Sequence, residues 1–97
     1  MDAADILYCR SEDKNVIFCG ADWAINCRGK LDEFARRLPG HFIRTHKRYL
    51  VNLTRVTAMT PEGMRLDSGD TTPISRSFRE KASEAFFNHI AGETQKR

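Results

Sequence analysis

Short apolar, β-branched runs alternate with polar turns over most of the chain, and a 3.6-residue period appears only twice. Asp5-Ile6-Leu7-Tyr8-Cys9 and Val16-Ile17-Phe18-Cys19 read as two strands. The polar stretch Ser11-Glu12-Asp13-Lys14-Asn15 between them makes a hairpin. Gly20-Ala21-Asp22 turns the chain into Trp23-Ala24-Ile25-Asn26-Cys27-Arg28, whose alternation suits a half-buried strand. The period then changes: Leu31, Phe34, Ala35 and Leu38 share one helical face, with acids in the first turn, bases in the last, and Pro39-Gly40 as the stop. Further strand-like runs follow at Phe42-Ile43-Arg44, Tyr49-Leu50-Val51-Asn52, Val56-Thr57-Ala58-Met59 and Met64-Arg65-Leu66-Asp67. Thr60-Pro61-Glu62-Gly63 has the signature of a type I turn. Thr71-Thr72-Pro73-Ile74 can be a strand only at an edge, because Pro73 has no N–H to donate. Ser77-Phe78-Arg79-Glu80 matches a capping box. Phe78, Ala82, Ala85, Phe86 and Ile90 then form one helical stripe, which Gly92 is expected to end.

This pattern predicts a mostly β fold of about eight short strands, built from small antiparallel sheets packed as an elongated sandwich. A short helix is expected near residues 31–38 and a C-terminal helix near 77–90. Residues 1–97 are expected to be one domain, with a folded core over about 5–91 and a frayed tail at 93–97. A chain this short buries only roughly 60–65% of its unfolded surface, so its core is modest. It contains no apolar run of membrane-spanning length, and its acidic start lacks the character of a signal peptide, which leads us to expect a cytoplasmic protein with no membrane partner. Cys9, Cys19 and Cys27 are odd in number, contain no C-x-x-C pair, and lie in apolar stretches. They read as reduced core residues rather than disulfides or, with His41 and His46 at no ligand spacing, a metal site.

Charge changes the picture. The net charge of +3 is small, but residues 34–60 carry Arg36, Arg37, Arg44, Lys47, Arg48 and Arg55 and no acid, whereas residues 1–33 are net −3 and residues 61–97 neutral. Such local density attracts polyanions and releases their counterions, although a solvated basic face has the same composition. Signs of catalysis are weak: there is no P-loop, G-x-S-x-G or H-E-x-x-H. Ser75, His46 and Asp70 could be assembled into a trio, but geometry rather than composition defines a triad, so no catalytic residue, metal or cofactor is assigned. The residues alone leave open a non-catalytic protein- or ligand-binding module whose basic face takes an acidic partner. RNA binding is disfavoured by the lack of an evident stacking pair of aromatics.

The segment Phe42-Ile43-Arg44-Thr45-His46-Lys47-Arg48-Tyr49-Leu50-Val51-Asn52 sets five polar positions between apolar anchors, a way to hold long basic side chains in fixed registration. Together with Ile6-Leu7-Tyr8, the helix ending Leu38-Pro39, and Pro73-Ile74-Ser75-Arg76, it resembles the LytTR family, the DNA-binding output domain of many bacterial response regulators. The resemblance implies small antiparallel sheets and sequence-specific binding to double-stranded DNA for transcription regulation. Loops would enter successive major grooves, in place of a recognition helix. It also implies two copies on paired direct repeats, a homodimer on DNA, and a receiver domain or partner protein as a further partner. Matched motif by motif, it places base contacts at Asn15, Lys47 and Arg76. Lys14, Arg44, His46, Arg48 and Arg79 are the candidates for phosphate contacts. The residue types suit these roles: Arg76 can grip guanine O6 and N7, Lys47 can reach the same acceptors, and Asn15 pairs a donor with an acceptor for adenine. Structural alternatives remain: Asn15 as a turn residue, Lys47 as a phosphate ligand only, and Arg76 as a cap. Position 48 is commonly a small hydroxyl residue in the family and here is Arg48. Tyr49 and Asn52 read as scaffold, Asn52 tying down buried backbone.

Overall fold

The computed structural model describes residues 2–95 of the chain, with side chains through residue 92. Five strands form one antiparallel sheet in the order β3-β2-β1-β5-β4. They are β1 (Tyr8–Glu12), β2 (Asn15–Cys19), β3 (Ala24–Arg28), β4 (Phe42–His46) and β5 (Tyr49–Asn52). A second, three-stranded sheet has the order β6-β7-β8, from Val56–Thr60, Gly63–Leu66 and Thr71–Thr72. Helix α1 (Leu31–Arg37) lies between β3 and β4, and α2 (Arg76–Gln95) closes the chain. The expected mostly β architecture with two helices is the observed one, and its extents of 38 × 30 × 25 Å are moderately elongated.

The large sheet is covered on both faces along β1, β5 and β4, where alternate residues of a strand point to opposite cores, while β3 at its far edge is mostly exposed. Cys9, Val16, Phe18, Phe42 and Leu50 face a cluster completed by Leu31 of α1, with Phe34, Ala35 and Leu38 packed against it. Phe18 and Phe34 meet edge-on with ring centres 5.0 Å apart. The opposite face supplies Val51, joined by Leu7 from the segment leading into β1, to a second cluster with Leu53, Met64 and Leu66 and with Ala82 of α2. The layers therefore run α1, large sheet, then small sheet with α2. The consecutive apolar residues Leu50 and Val51 serve one face each, which is how a short unbroken apolar run fits a strand buried on two sides. The cysteines are all free, as expected, and burial pushes the Cys9 thiol up to about 12, so it stays a protonated core group.

Several local expectations need correction. The chain opens with a turn of 3-10 helix at Ala3–Asp5 instead of a strand from Asp5, because the Asp2 carboxylate accepts the Ala4 N–H at 3.1 Å and starts a helical turn. The first hairpin loop is shorter than its polar composition implies: β1 and β2 pair out to Glu12 and Asn15, leaving only Asp13 and Lys14 in the turn. Asp13 takes φ 57°, a conformation its short polar side chain tolerates. Helix α2 begins at Arg76, so Ser75 rather than Ser77 precedes it, and the Phe78 N–H bonds the Ser75 carbonyl at 3.1 Å. Gly92 does not end this helix. It lacks the positive φ of a C-terminal cap, and α2 runs on to Gln95, so the expected tail is helical at 93–95 and otherwise lies outside the described residues.

Asn52 ties the segment before β1 to the turn that follows β5. Its side-chain N–H donates to the Ile6 carbonyl at 2.8 Å, and its oxygen accepts the Thr54 N–H at 3.0 Å and hydroxyl at 2.7 Å, all from a fully buried position. Asn52→Ala should therefore destabilise the domain by about 2–3 kcal/mol in a denaturant titration, since buried backbone loses its partners. Gly63, after the Pro61-Glu62 turn, has φ +148°, and a Cβ there would lie 1.9 Å from the Thr72 carbonyl oxygen. Gly63→Ala should cost more than about 2 kcal/mol and loosen β8, read as lowered thermal stability with faster amide exchange at Thr72.

Candidate nucleic-acid interface

Sheet topology decides which polar residues meet. In the antiparallel order β3-β2-β1-β5-β4, three features fall at one end of the sheet. They are the end of β3 at Arg28, the β1–β2 turn at Asp13-Lys14, and the β4–β5 turn at Lys47-Arg48. Four interstrand spacings separate the outer strands, a row about 19 Å wide. Between these tips and the start of α1 lies an open cleft of about 600 Å³. Its walls carry Lys14, Arg28, Lys30, Arg44, Lys47 and Arg48, against Asp13, Asp32 and Glu33.

The tips are fastened to one another through the backbone. The Gly29 N–H donates to the Lys14 carbonyl at 3.0 Å, joining the β3 end to the first hairpin, and the Ser11 N–H donates to the Arg48 carbonyl at 2.9 Å, joining the first hairpin to the second. At the start of α1 the Glu33 carboxylate accepts the Lys30 N–H at 3.0 Å, the half of a capping box open to a helix that lysine precedes. The β4–β5 pairing is irregular between Arg44 and His46, where Thr45 is the extra residue. Thr45 is fully buried, and its carbonyl accepts the Ser75 N–H at 2.9 Å. One hydrogen bond thus seats the start of α2, and exposed Arg76 with it, beside β4, the strand that leads into the Lys47 turn.

Lys14, Lys47 and Arg48 are exposed at the cleft, and Asn15, half-buried, opens β2 opposite Arg28. His46 Nδ1 accepts the Arg48 N–H at 3.1 Å, and the imidazole meets Tyr49 edge-on at 5.6 Å, so this ring also shapes the turn. Arg79 stands apart. It lines a separate groove with Met59, Thr60, Pro61, Ser83, Phe86 and Phe87, and its guanidinium donates to the Pro61 carbonyl at 3.3 Å. Arg44 is only partly exposed at the cleft wall: Nε donates to the His46 carbonyl at 3.2 Å, Nη2 to the Lys47 carbonyl at 2.7 Å, and Nη1 to the Asp32 carboxylate. Arg28 and Lys30 are the residues that charge counting missed. The net-negative total of residues 1–33 concealed them, and the pairing of Asn15 with Arg28 is the signal that brings them to the tips.

The cleft carries six basic side chains against three acids, a net positive lining of the kind that attracts polyanions. The fold and this end of the sheet define a small β-rich nucleic-acid-binding module. The profile of the LytTr DNA-binding domain matches residues 1–86, and the chain belongs to that family of DNA-binding domains. In fold it is similar to the LytTr DNA-binding domain of a Bacillus cereus protein described as a DNA response regulator. The TM-score is 0.81 at 23% identity over 88% of this chain and 84% of that one. No curated protein matches this chain significantly. Among the described residues no helix is long and apolar enough to cross a membrane.

The Asp32–Arg44 pair has a titration signature. The Arg44 guanidinium holds the Asp32 carboxyl below its usual range, so the pair's contribution is in place at neutral pH and is lost as pH falls through that lowered value. In an NMR titration Asp32 should protonate at lower pH than an ordinary aspartate, and Arg44→Gln should return it to the ordinary range.

Proposed function

We propose that this domain binds double-stranded DNA sequence-specifically, as the output module of a bacterial transcriptional regulator of the response-regulator type. The observation that carries the reading is the gathering of the β3 end and both hairpin turns at one end of the large sheet, around a cleft with six basic side chains, with the start of α2 hydrogen-bonded to the neighbouring end of β4. A row about 19 Å wide exceeds the roughly 12 Å of one major groove, so tips that enter a groove leave others over its flanking phosphates. Asn15, Lys47 and Arg76 are the base-reading residues. Lys14 and Arg48 neutralise phosphates at the same end and His46 contacts one, with Arg28 and Lys30 joining them, and Arg79 extends the contact along α2. Two copies occupy paired direct repeats as a homodimer on DNA, under the control of a receiver domain or partner protein in the cytoplasm. Binding requires no cofactor and no metal, and the domain catalyses no reaction.

Selection from a random duplex library, followed by salt titration on the selected and a scrambled duplex, tests this reading. A chain that prefers an acidic peptide or single-stranded RNA over every duplex would overturn it. Arg76→Ala should cost about 1–3 kcal/mol on the selected duplex and relax the preference at one base pair, whereas Arg48→Ala should weaken both duplexes and lower the salt slope by about one.

A further inference from the structure

We propose that Arg44 is the positioning residue of the β4–β5 turn: braced from outside by Asp32, it clamps the turn's carbonyls and so sets where Lys47 leaves the domain. Arg44 thereby leaves the phosphate set expected from the sequence, an inference that rests on the DNA-binding reading above.

Three observations carry it. First, three N–H groups of one guanidinium are already placed, two of them on consecutive turn carbonyls, those of His46 and Lys47, at 3.2 and 2.7 Å, and the third on Asp32. Two N–H groups remain, one on each Nη, but both sit on nitrogens already held by Asp32 and by the Lys47 carbonyl, so a phosphate would compete with those partners for a side chain that lies under the turn. Second, the Arg44 side chain is 27% exposed and that of Asp32 70%, so the arginine lies under the turn and its acid lies outside. Third, the turn has few other constraints on this side. The extra residue Thr45 interrupts the β4–β5 ladder next to Arg44, and among the described residues the Thr45 carbonyl bond to Ser75 and the Arg48 carbonyl bond to Ser11 are the main-chain bonds that tie its ends to neighbouring elements. A two-residue turn beside a bulge can swivel, and a planar fork bridging its carbonyls removes that freedom. The chemistry requires arginine. A lysine keeps the charge and can still reach Asp32, but a single ammonium lacks the rigid fork that spans two carbonyls and a carboxylate together.

Arg44→Lys in the full chain is the test, with Asp32→Asn as a second variant that leaves every proposed DNA contact in place. Amide exchange reads the clamp without DNA. Exchange at Ser11 and Arg48, whose N–H groups bond the Arg48 carbonyl and His46 Nδ1, should accelerate by about tenfold in Arg44→Lys while the β1–β2 amides hold. On DNA, the ratio of affinities for the selected and scrambled duplexes should fall by about tenfold, with the salt slope on the scrambled duplex unchanged because the charge remains. Asp32→Asn should move both readouts the same way, more weakly. Unchanged exchange in both variants overturns the clamp, and equal losses on the two duplexes return Arg44 to the phosphate ligands. A wild-type chain that selects no duplex sinks the DNA reading instead, and the exchange contrast still decides whether Arg44 holds the turn.

Discussion

The register of the five-stranded antiparallel sheet is the constraint on which the molecule depends. Strand β1 pairs with β2 on one side and β5 on the other, so Cys9 stands between Phe18 and Leu50 on one face while Tyr8 stands between Cys19 and Val51 on the other. A slip of one residue would exchange these faces, driving polar groups under α1 and apolar ones toward the small sheet. The same register brings Asp13-Lys14, Arg28 and Lys47-Arg48 to a common edge. Packing of the core and placement of the basic end are therefore one decision.

What the sheet positions, hydrogen bonds then hold. Loop tips that meet a flexible polyanion work best when their backbones are already fixed, because ordering them on binding would cost conformational entropy. Here Gly29 is tied to Lys14, Ser11 to Arg48, and Ser75 to Thr45, each through main-chain atoms. The side chains of Lys14, Lys47 and Arg76 remain exposed. The arrangement separates the groups that hold the tips from the groups that can meet a partner, and Arg44 belongs on the holding side.

Much of this was legible along the chain. Alternation located the strands, the i, i+3, i+4 spacing located both helices, and the cluster around Lys47 marked the central basic turn. Asn52 could be read as a buried tie because an amide between apolar residues must find partners. Helix ends were less legible, because capping depends on contacts from elsewhere. Ser77 looked like a cap, but the Ser75 N–H is held by Thr45, thirty residues earlier, and α2 starts at Arg76. Gly92 looked like a stop, yet glycine ends a helix only by adopting a left-handed conformation, which it does not do here.

By itself, then, the sequence determined the strands and helices, though not all their ends, and the presence of a basic turn, since each follows from local periodicity and composition. Only the tertiary structure decided that Arg28 and Lys30 join that turn, that Arg79 lies in a different groove, and that the Arg44 guanidinium faces carbonyls and Asp32. Charge along a chain is a sum, whereas a guanidinium's partners depend on direction, and direction is set by strand order and by the bulge at Thr45.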